Sequence, residues 1–218
     1  MYLNKDTEVY ASFAEKAGNK GCIVFNNAFM FYNMNAIYKS FSVPDISKAV
    51  DGAFALGFKG FAVSRPYKSH DRILSLNASD EVKEIGAANT VVIKEGEATT
   101  YNTDYIAARD LLQKEKNITS LYILGAGGYS KAVQYAAKKL NIDYTVVTRR
   151  EWYSIKDIKD SLVFNCTPAK VSTNESNKYI DSDPYSKTGL CLSRCQAGHQ
   201  FTLYTDMPAP KRIFSCHQ

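Results

Sequence analysis

Short apolar runs rich in β-formers alternate along this chain with segments whose apolar residues recur at helical spacing, and turn residues separate the two. Residues 7–13 (TEVYASF) read as a strand. After the break Ala17-Gly18-Asn19-Lys20-Gly21, CIVFNNAFMFYNM reads as a buried helix and AIYKSFSV as a second strand. Pro44-Asp45 opens DISKAVDGAFALG, where Ile46, Val50, Phe54 and Leu56 keep helical spacing, and FKGFAVS follows as a strand, so the order is βαβαβ. A further helix and strand block, DEVKEIGAANTVVIKEGEATTYNTD, ends at Asp104, and DYIAARDLLQKEK predicts an amphipathic helix placed to bridge two lobes. Ser120–Leu124 predicts a short buried strand that runs directly into GAGGYSKAVQYAAKKL, a glycine turn and a helix, and DYTVVTRR predicts another strand. This alternation predicts parallel α/β sheets in a lobe of residues 1–103 and a second lobe of residues 104–190, with the tail 191–218 packing back on the first as helix.

The glycine turn is the strongest chemical signal. Gly125-Ala126-Gly127-Gly128 stands where a strand turns sharply into a helix, whose free N–H groups then face outward as a pyrophosphate site. The third position of the dinucleotide pattern is Ser130 and not glycine, so the strand-turn-helix context carries the reading. An NAD enzyme places an acid on the ribose about 20 residues further on. Here the strand ends in Thr148-Arg149-Arg150, and two guanidiniums suit the 2′-phosphate of NADP. Glu151 beside them keeps NAD as the lesser alternative.

The 218 residues fit one large domain or two small ones, and 45% hydrophobic with 22% charged residues is the composition of a globular chain. A net charge of +5 favours an anionic small molecule and falls short of a nucleic-acid footprint. The five cysteines (Cys22, Cys166, Cys191, Cys195, Cys216) include no CxxC pair, which predicts free thiols in a reducing compartment. His70, His199 and His217 have no metal-ligand spacing, so no metal is expected. The start MYLNKDTEVY is unlike a secretory signal, and no apolar run approaches a membrane span; the expectation is a cytoplasmic protein without membrane or nucleic-acid partners.

Three stretches, SRPYK (64–68), GAANT (86–90) and YNTDYIAA (101–108), resemble the shikimate dehydrogenase family. The opening NKDTEVYASFAEKAGNKG, with AIYKSF and ALGFKGFAVS, resembles its shikimate dehydrogenase-like subgroup more than the enzymes of aromatic amino acid biosynthesis. CQAGHQFTLYT (195–205) is similar to the family's terminal helix, which returns to the substrate lobe. The resemblance implies an α/β fold with an open N-terminal substrate-binding lobe, a compact Rossmann-type NADP-binding lobe and a cleft between them. It also implies catalytic roles for Lys68 and Asp104, with Asn89 on a substrate hydroxyl and Gln196 on the returning helix. Reducing a ketone by hydride creates an alkoxide that a proton donor must quench. Lys68 suits that task, and a facing carboxylate at Asp104 would hold the ammonium and share a proton with the substrate hydroxyl. Asn165 and Thr167 of FNCTP resemble the family's NxTP loop near the nicotinamide.

The pattern also departs from the family. Aligned through Asn26, Asn19 and Gly21 stand where biosynthetic members have two serines that grip the substrate carboxylate, Ala62 stands for asparagine and Ser64 for threonine. Asn19, the Gly21 N–H and Ser64 are left as the substrate-binding groups there. Only 14 residues (151–164) separate Arg150 from Asn165, which predicts a Rossmann sheet short of a strand. The expected function is therefore NADP-dependent interconversion of a hydroxyl and a ketone on a small cyclic hydroxy acid, of the 3-dehydroshikimate/shikimate or quinate type. The alternative is a degenerate member that binds NADP or a ligand without turnover. A dependence on homodimer contacts is one consequence of so short a cofactor lobe.

Overall fold

The computed structural model describes residues 3–115 and 118–215; Cys216 and His217 lie outside them. By its internal contacts the chain divides into two compact units, one made of the chain up to Thr103 together with the chain from Ala197 onward, the other of Asp104–Gln196.

The first unit contains β1 (Glu8–Ala14), α1 (Lys20–Phe31), β2 (Ala36–Ser42), α2 (Ile46–Ala55), β3 (Gly60–Val63), a 3₁₀ turn (Tyr67–Ser69) and α3 (Asp71–Leu74). It continues with β4 (Asn77–Ala78), α4 (Asp80–Ile85), β5 (Thr90–Lys94) and β6 (Glu97–Tyr101). Asp45 starts α2 as read, its carboxylate accepting from the Lys48 N–H at 3.1 Å, and Ile46, Val50 and Ala53 form the buried face. In α1, the Asn26 amide donates to the carbonyls of Cys22 and Tyr38 and accepts from the Tyr38 N–H at 2.8 Å, tying the helix to β2.

The six strands run in the order β2-β1-β3-β5-β6-β4. The first three are parallel, but β3–β5 and β5–β6 are antiparallel, so this sheet is mixed and the expectation of a parallel sheet is corrected. The local cause of the β5–β6 reversal is the Glu95-Gly96 turn, with φ of 52° and 82°: two residues of left-handed backbone reverse the chain at once and leave no room for a crossover helix. Both faces are covered. Ala11, Phe13 and Phe61 meet α2, α3 and α4 on one side. Tyr10 and Tyr38 meet Phe25 and Phe29 of α1, and Phe201, Tyr204 and Phe214 from the end of the chain, on the other.

The second unit holds α5 (Thr103–Leu112), β7 (Leu121–Leu124), α6 (Gly128–Lys139), β8 (Tyr144–Val147), a 3₁₀ segment (Arg149–Asp157), β9 (Leu162–Asn165) and β10 (Lys178–Asp181). Then come α7 (Lys187–Thr205) and α8 (Lys211–Phe214). Helix α7 starts before residue 191 and supplies Leu192 to the second unit's core and Phe201 to the first unit's. The second sheet has four strands, all parallel, in the order β10-β9-β7-β8. Leu121, Ile123 and Phe164 pack with α5 and α6 on one face. The other face is closed by Ile155 and Ile158 with Trp152, so the chain from Arg150 to β9 makes a 3₁₀ layer and adds no strand between β8 and β9. Cys22, Cys166 and Cys195 are free thiols, whereas Cys191 is disulfide-bonded, which corrects the expectation that every cysteine is free. No described helix is long and apolar enough to cross a membrane.

Candidate functional site

In the second unit the chain leaves β7 for β8 on one side and then crosses to β9 on the other. In an open parallel sheet that reversal opens a ligand crevice beyond the carboxyl ends of the two diverging strands. The glycine turn after β7 and the Cys166-Thr167 loop after β9 lie at those ends. Gly125 has φ of +104°, and a Cβ there would sit 2.7 Å from Thr167 Cγ2, so only glycine lets the two loops meet. Around Gly127 a Cβ would meet nothing within 4 Å, and this residue starts α6 without a side-chain cap. The helix therefore presents its first N–H groups openly, with Ala126 and Gly127 exposed. Ser130, buried in the third motif position, replaces a glycine's close packing by a bond from its hydroxyl to the Gly125 carbonyl at 2.6 Å.

Thr148, Arg149 and Arg150 follow β8 at the same end of the sheet. The Thr148 N–H and hydroxyl both donate to Glu151 Oε2, at 2.9 and 2.6 Å, and these bonds hold the Glu151 carboxyl below its ordinary range. The acid beside the arginines is thus engaged as a cap, while both arginines are exposed. This donor set fits a 2′-phosphorylated dinucleotide: open helix N–H groups for a pyrophosphate and two guanidiniums for a further phosphate. Asn165 is fully buried and serves its own loop, its amide donating to the Ala169 carbonyl and accepting from the Thr167 N–H and hydroxyl. Asp104 opens α5 and is 4% exposed. Burial, and after it the Asp104 charge, pushes the Tyr129 hydroxyl and the Cys166 thiol far up. Cys195 is raised to about 11 by burial and by Asp110, 3.8 Å away.

In the first unit, Ser64, Lys68 and Asn89 are brought together where β3 ends and β5 begins. The Val63 N–H donates to the Asn89 carbonyl and the Ala88 N–H to the Lys68 carbonyl, both at 2.8 Å. Asn19 and Gly21 enter α1 after β1, at the same end of the parallel strands. Asn19 is exposed and its side chain caps nothing, and a Cβ on Gly21 would meet Tyr38 Cε1 at 3.0 Å. Asn89 is buried; its amide donates to Thr103 Oγ1 at 3.0 Å and accepts from the Thr103 N–H at 2.8 Å, which pins the start of α5. Asn102, equally buried, donates to the Ala87 carbonyl.

Gln200 is the residue that sequence reasoning missed. It is 3% exposed and donates to the Asn89 carbonyl at 3.1 Å and to Thr90 Oγ1 at 2.9 Å. Its one signal is an amide on the apolar side of AGHQFTLY. Gln196, a turn earlier, is half-buried and donates to the Ser193 carbonyl at 3.1 Å. His70 is structural, its Nδ1 accepting from the Arg72 N–H at the start of α3.

A mixed-sheet α/β unit and a compact parallel unit that carries a phosphate-type glycine turn define a two-unit α/β protein. Residues 20–91 match the family model of the shikimate dehydrogenase substrate binding domain. The chain is 36% identical over 120 residues to shikimate dehydrogenase (NADP(+)) of Pyrococcus abyssi, covering 54% of this chain and 46% of that protein. It is 36% identical over 139 residues to the shikimate dehydrogenase-like protein of Haemophilus influenzae, covering 62% and 51%. The chain thus spans about half the length of these curated relatives. The crystal structure of shikimate dehydrogenase from Aquifex aeolicus superposes with a TM-score of 0.77 at 27% identity, over 97% of both chains. That of a shikimate 5-dehydrogenase-like protein gives 0.83 at 24% identity, over 98% of this chain and 97% of the other. These matches establish the resemblance to the shikimate dehydrogenase family, and residues 20–91 are the stretch that matches the model of its substrate binding domain.

Proposed function

We propose that the chain is an NADP-dependent oxidoreductase that interconverts a hydroxyl and a ketone on a small cyclic hydroxy acid of the shikimate or quinate type. The observation that carries this is the Gly125 turn, a left-handed backbone that only glycine adopts freely, which opens an uncapped α6 at the switch point of a parallel sheet. It is supported by the names of relatives that use NADP(+) and by a solved relative in complex with NADP+. On this reading residues 1–103, with 191–218 packing back, form the substrate-binding domain and residues 104–190 the dinucleotide-binding domain. Gly125, Ala126, Gly127 and Gly128 hold the pyrophosphate, Thr148, Arg149 and Arg150 the 2′-phosphate end, and Asn165 and Thr167 shape the loop beside the nicotinamide. When bound, the nicotinamide supplies or accepts the hydride. Lys68 moves a proton to or from the substrate oxygen, and Asp104 shares in that transfer. Asn19, the Gly21 N–H, Ser64, Asn89 and Gln196 orient the ring and its carboxylate.

The test is reduced-nicotinamide absorbance with purified protein, NADP and shikimate. Turnover is expected, with Lys68→Ala lowering kcat by about 100-fold or more. A Lys68→Ala variant as active as the parent overturns the catalytic assignment. A second reading, a family member that binds NADP without turnover, is favoured by Asn19 and Gly21 in place of two hydroxyls and by the four-stranded second sheet. Calorimetric NADP binding without turnover on a panel of cyclic hydroxy acids would select it.

A further inference from the structure

Strand β8 is paired on one side only. Its register sets Tyr144–Val147 against Leu121–Leu124, and among the described residues no strand lies on its other side. One bond determines which backbone groups face outward. The Gly125 N–H donates to the Val147 carbonyl at 2.9 Å, so Val147, and with it Thr145, turns toward β7. Tyr144 and Val146 therefore direct both N–H and C=O away from the sheet. The neighbours in the same phase are already engaged: the Ile142 N–H donates to the Ala137 carbonyl at 2.9 Å, and the Thr148 N–H to Glu151. The unpaired stretch of edge is thus confined to the strand itself.

Exposed edges are normally blunted by lysine, proline or a bulge. The opposite edge, β10, carries Lys178 and Asp181. β8 reads Tyr-Thr-Val-Val, with none of these devices, an exposed Thr145 and Tyr144 at 38% exposure. Its charges lie just outside it, Asp143 before and Arg149 and Arg150 after.

We propose that this edge pairs antiparallel with the same edge of a second copy of the chain, about a two-fold axis at Thr145, joining two second-unit sheets into one. In that register Tyr144 of each copy lies opposite Val146 of the other and the two exchange both N–H···O bonds, while Thr145 faces Thr145 in the closer, non-hydrogen-bonded position. Charge selects the direction and the occupant. Antiparallel pairing brings the acidic end of each strand, at Asp143, to the basic end of the other, where Arg149 and Arg150 follow, whereas parallel pairing would set like charges side by side. The contact is self-complementary, as a closed two-fold interface requires.

Sedimentation velocity over rising concentration tests it. The mass is expected to move from 24.3 kDa towards twice that value. Tyr144→Pro removes an outward N–H at the first residue of an edge strand, where proline is tolerated, and should hold the chain at the monomer mass. Thr145→Cys supplies a second reading, because facing residues of such a pair approach closely enough for a disulfide; oxidation should give a covalent dimer in excess of the parent chain. A parent chain that stays monomeric at the highest concentration overturns the proposal. So does a folded Tyr144→Pro variant that dimerises like the parent. Should that variant not fold, the Thr145→Cys result decides: no cross-link above the parent overturns the pairing.

Discussion

Gly125 combines a left-handed φ of +104° with the approach of Thr167 Cγ2 to 2.7 Å of where a Cβ would stand. Gly125→Ala therefore meets backbone strain and a steric clash together, and is expected to lower stability by about 1–3 kcal/mol in urea unfolding and to weaken NADP binding in calorimetry. Adding Thr167→Ser removes the offending methyl and should restore only the steric share. Gln200→Leu acts differently. It takes one of two donors from the Asn89 carbonyl, which keeps the Val63 N–H, and one bond from the Thr90 hydroxyl, which still donates to Asn89 Oδ1, a loss of about 0.5–1.5 kcal/mol measurable in the same unfolding experiment. The glycine was legible in the sequence because its left-handed turn arises from the few residues around it, whereas the approach of Thr167 was not. Gln200 was not, since its partner lies 111 positions away and nothing local distinguishes it from a solvated amide.

Among the elements, those read from periodicity recur where expected: α2 begins at its Asp45 cap, β7 runs straight into α6, and β8 ends before the two arginines. The arginines then open a 3₁₀ segment whose Trp152 and Ile155 cover the sheet, which leaves their guanidiniums in solvent. The double variant Arg149→Ala/Arg150→Ala should weaken NADP binding by roughly 10–100-fold, the scale of charge-assisted hydrogen bonds, while NAD binding changes little. Titration calorimetry with both cofactors checks this, and an equal loss for each would remove the arginines from the 2′-phosphate. The antiparallel pairing of β5 and β6 was written in Glu95-Gly96, a two-residue turn between apolar runs. The antiparallel pairing of β3 with β5 had no such local sign.

At the scale of the whole chain, α7 serves two cores, with Leu192 in one and Phe201 and Tyr204 in the other. Ending the chain after Gln196 would strip Phe201, Tyr204 and Phe214 from around Phe25 and Phe29. Each buried aromatic contributes about 1.5–3 kcal/mol, and three together rival a domain's whole stability of about 5–15 kcal/mol. The truncated chain is expected to lose cooperative unfolding of its first unit, seen as a broadened or absent thermal transition. By itself the amino-acid sequence determined the alternation of strand and helix, the caps, the glycine turn and the basic residues after β8, because periodicity, backbone propensity and turn chemistry act between near neighbours. Tertiary structure alone decided that β3 pairs antiparallel with β5, that Gln200 closes a buried network over Asn89, and that α7 divides itself between two cores. Those outcomes depend on which distant surfaces bury one another, and local spacing does not carry that choice.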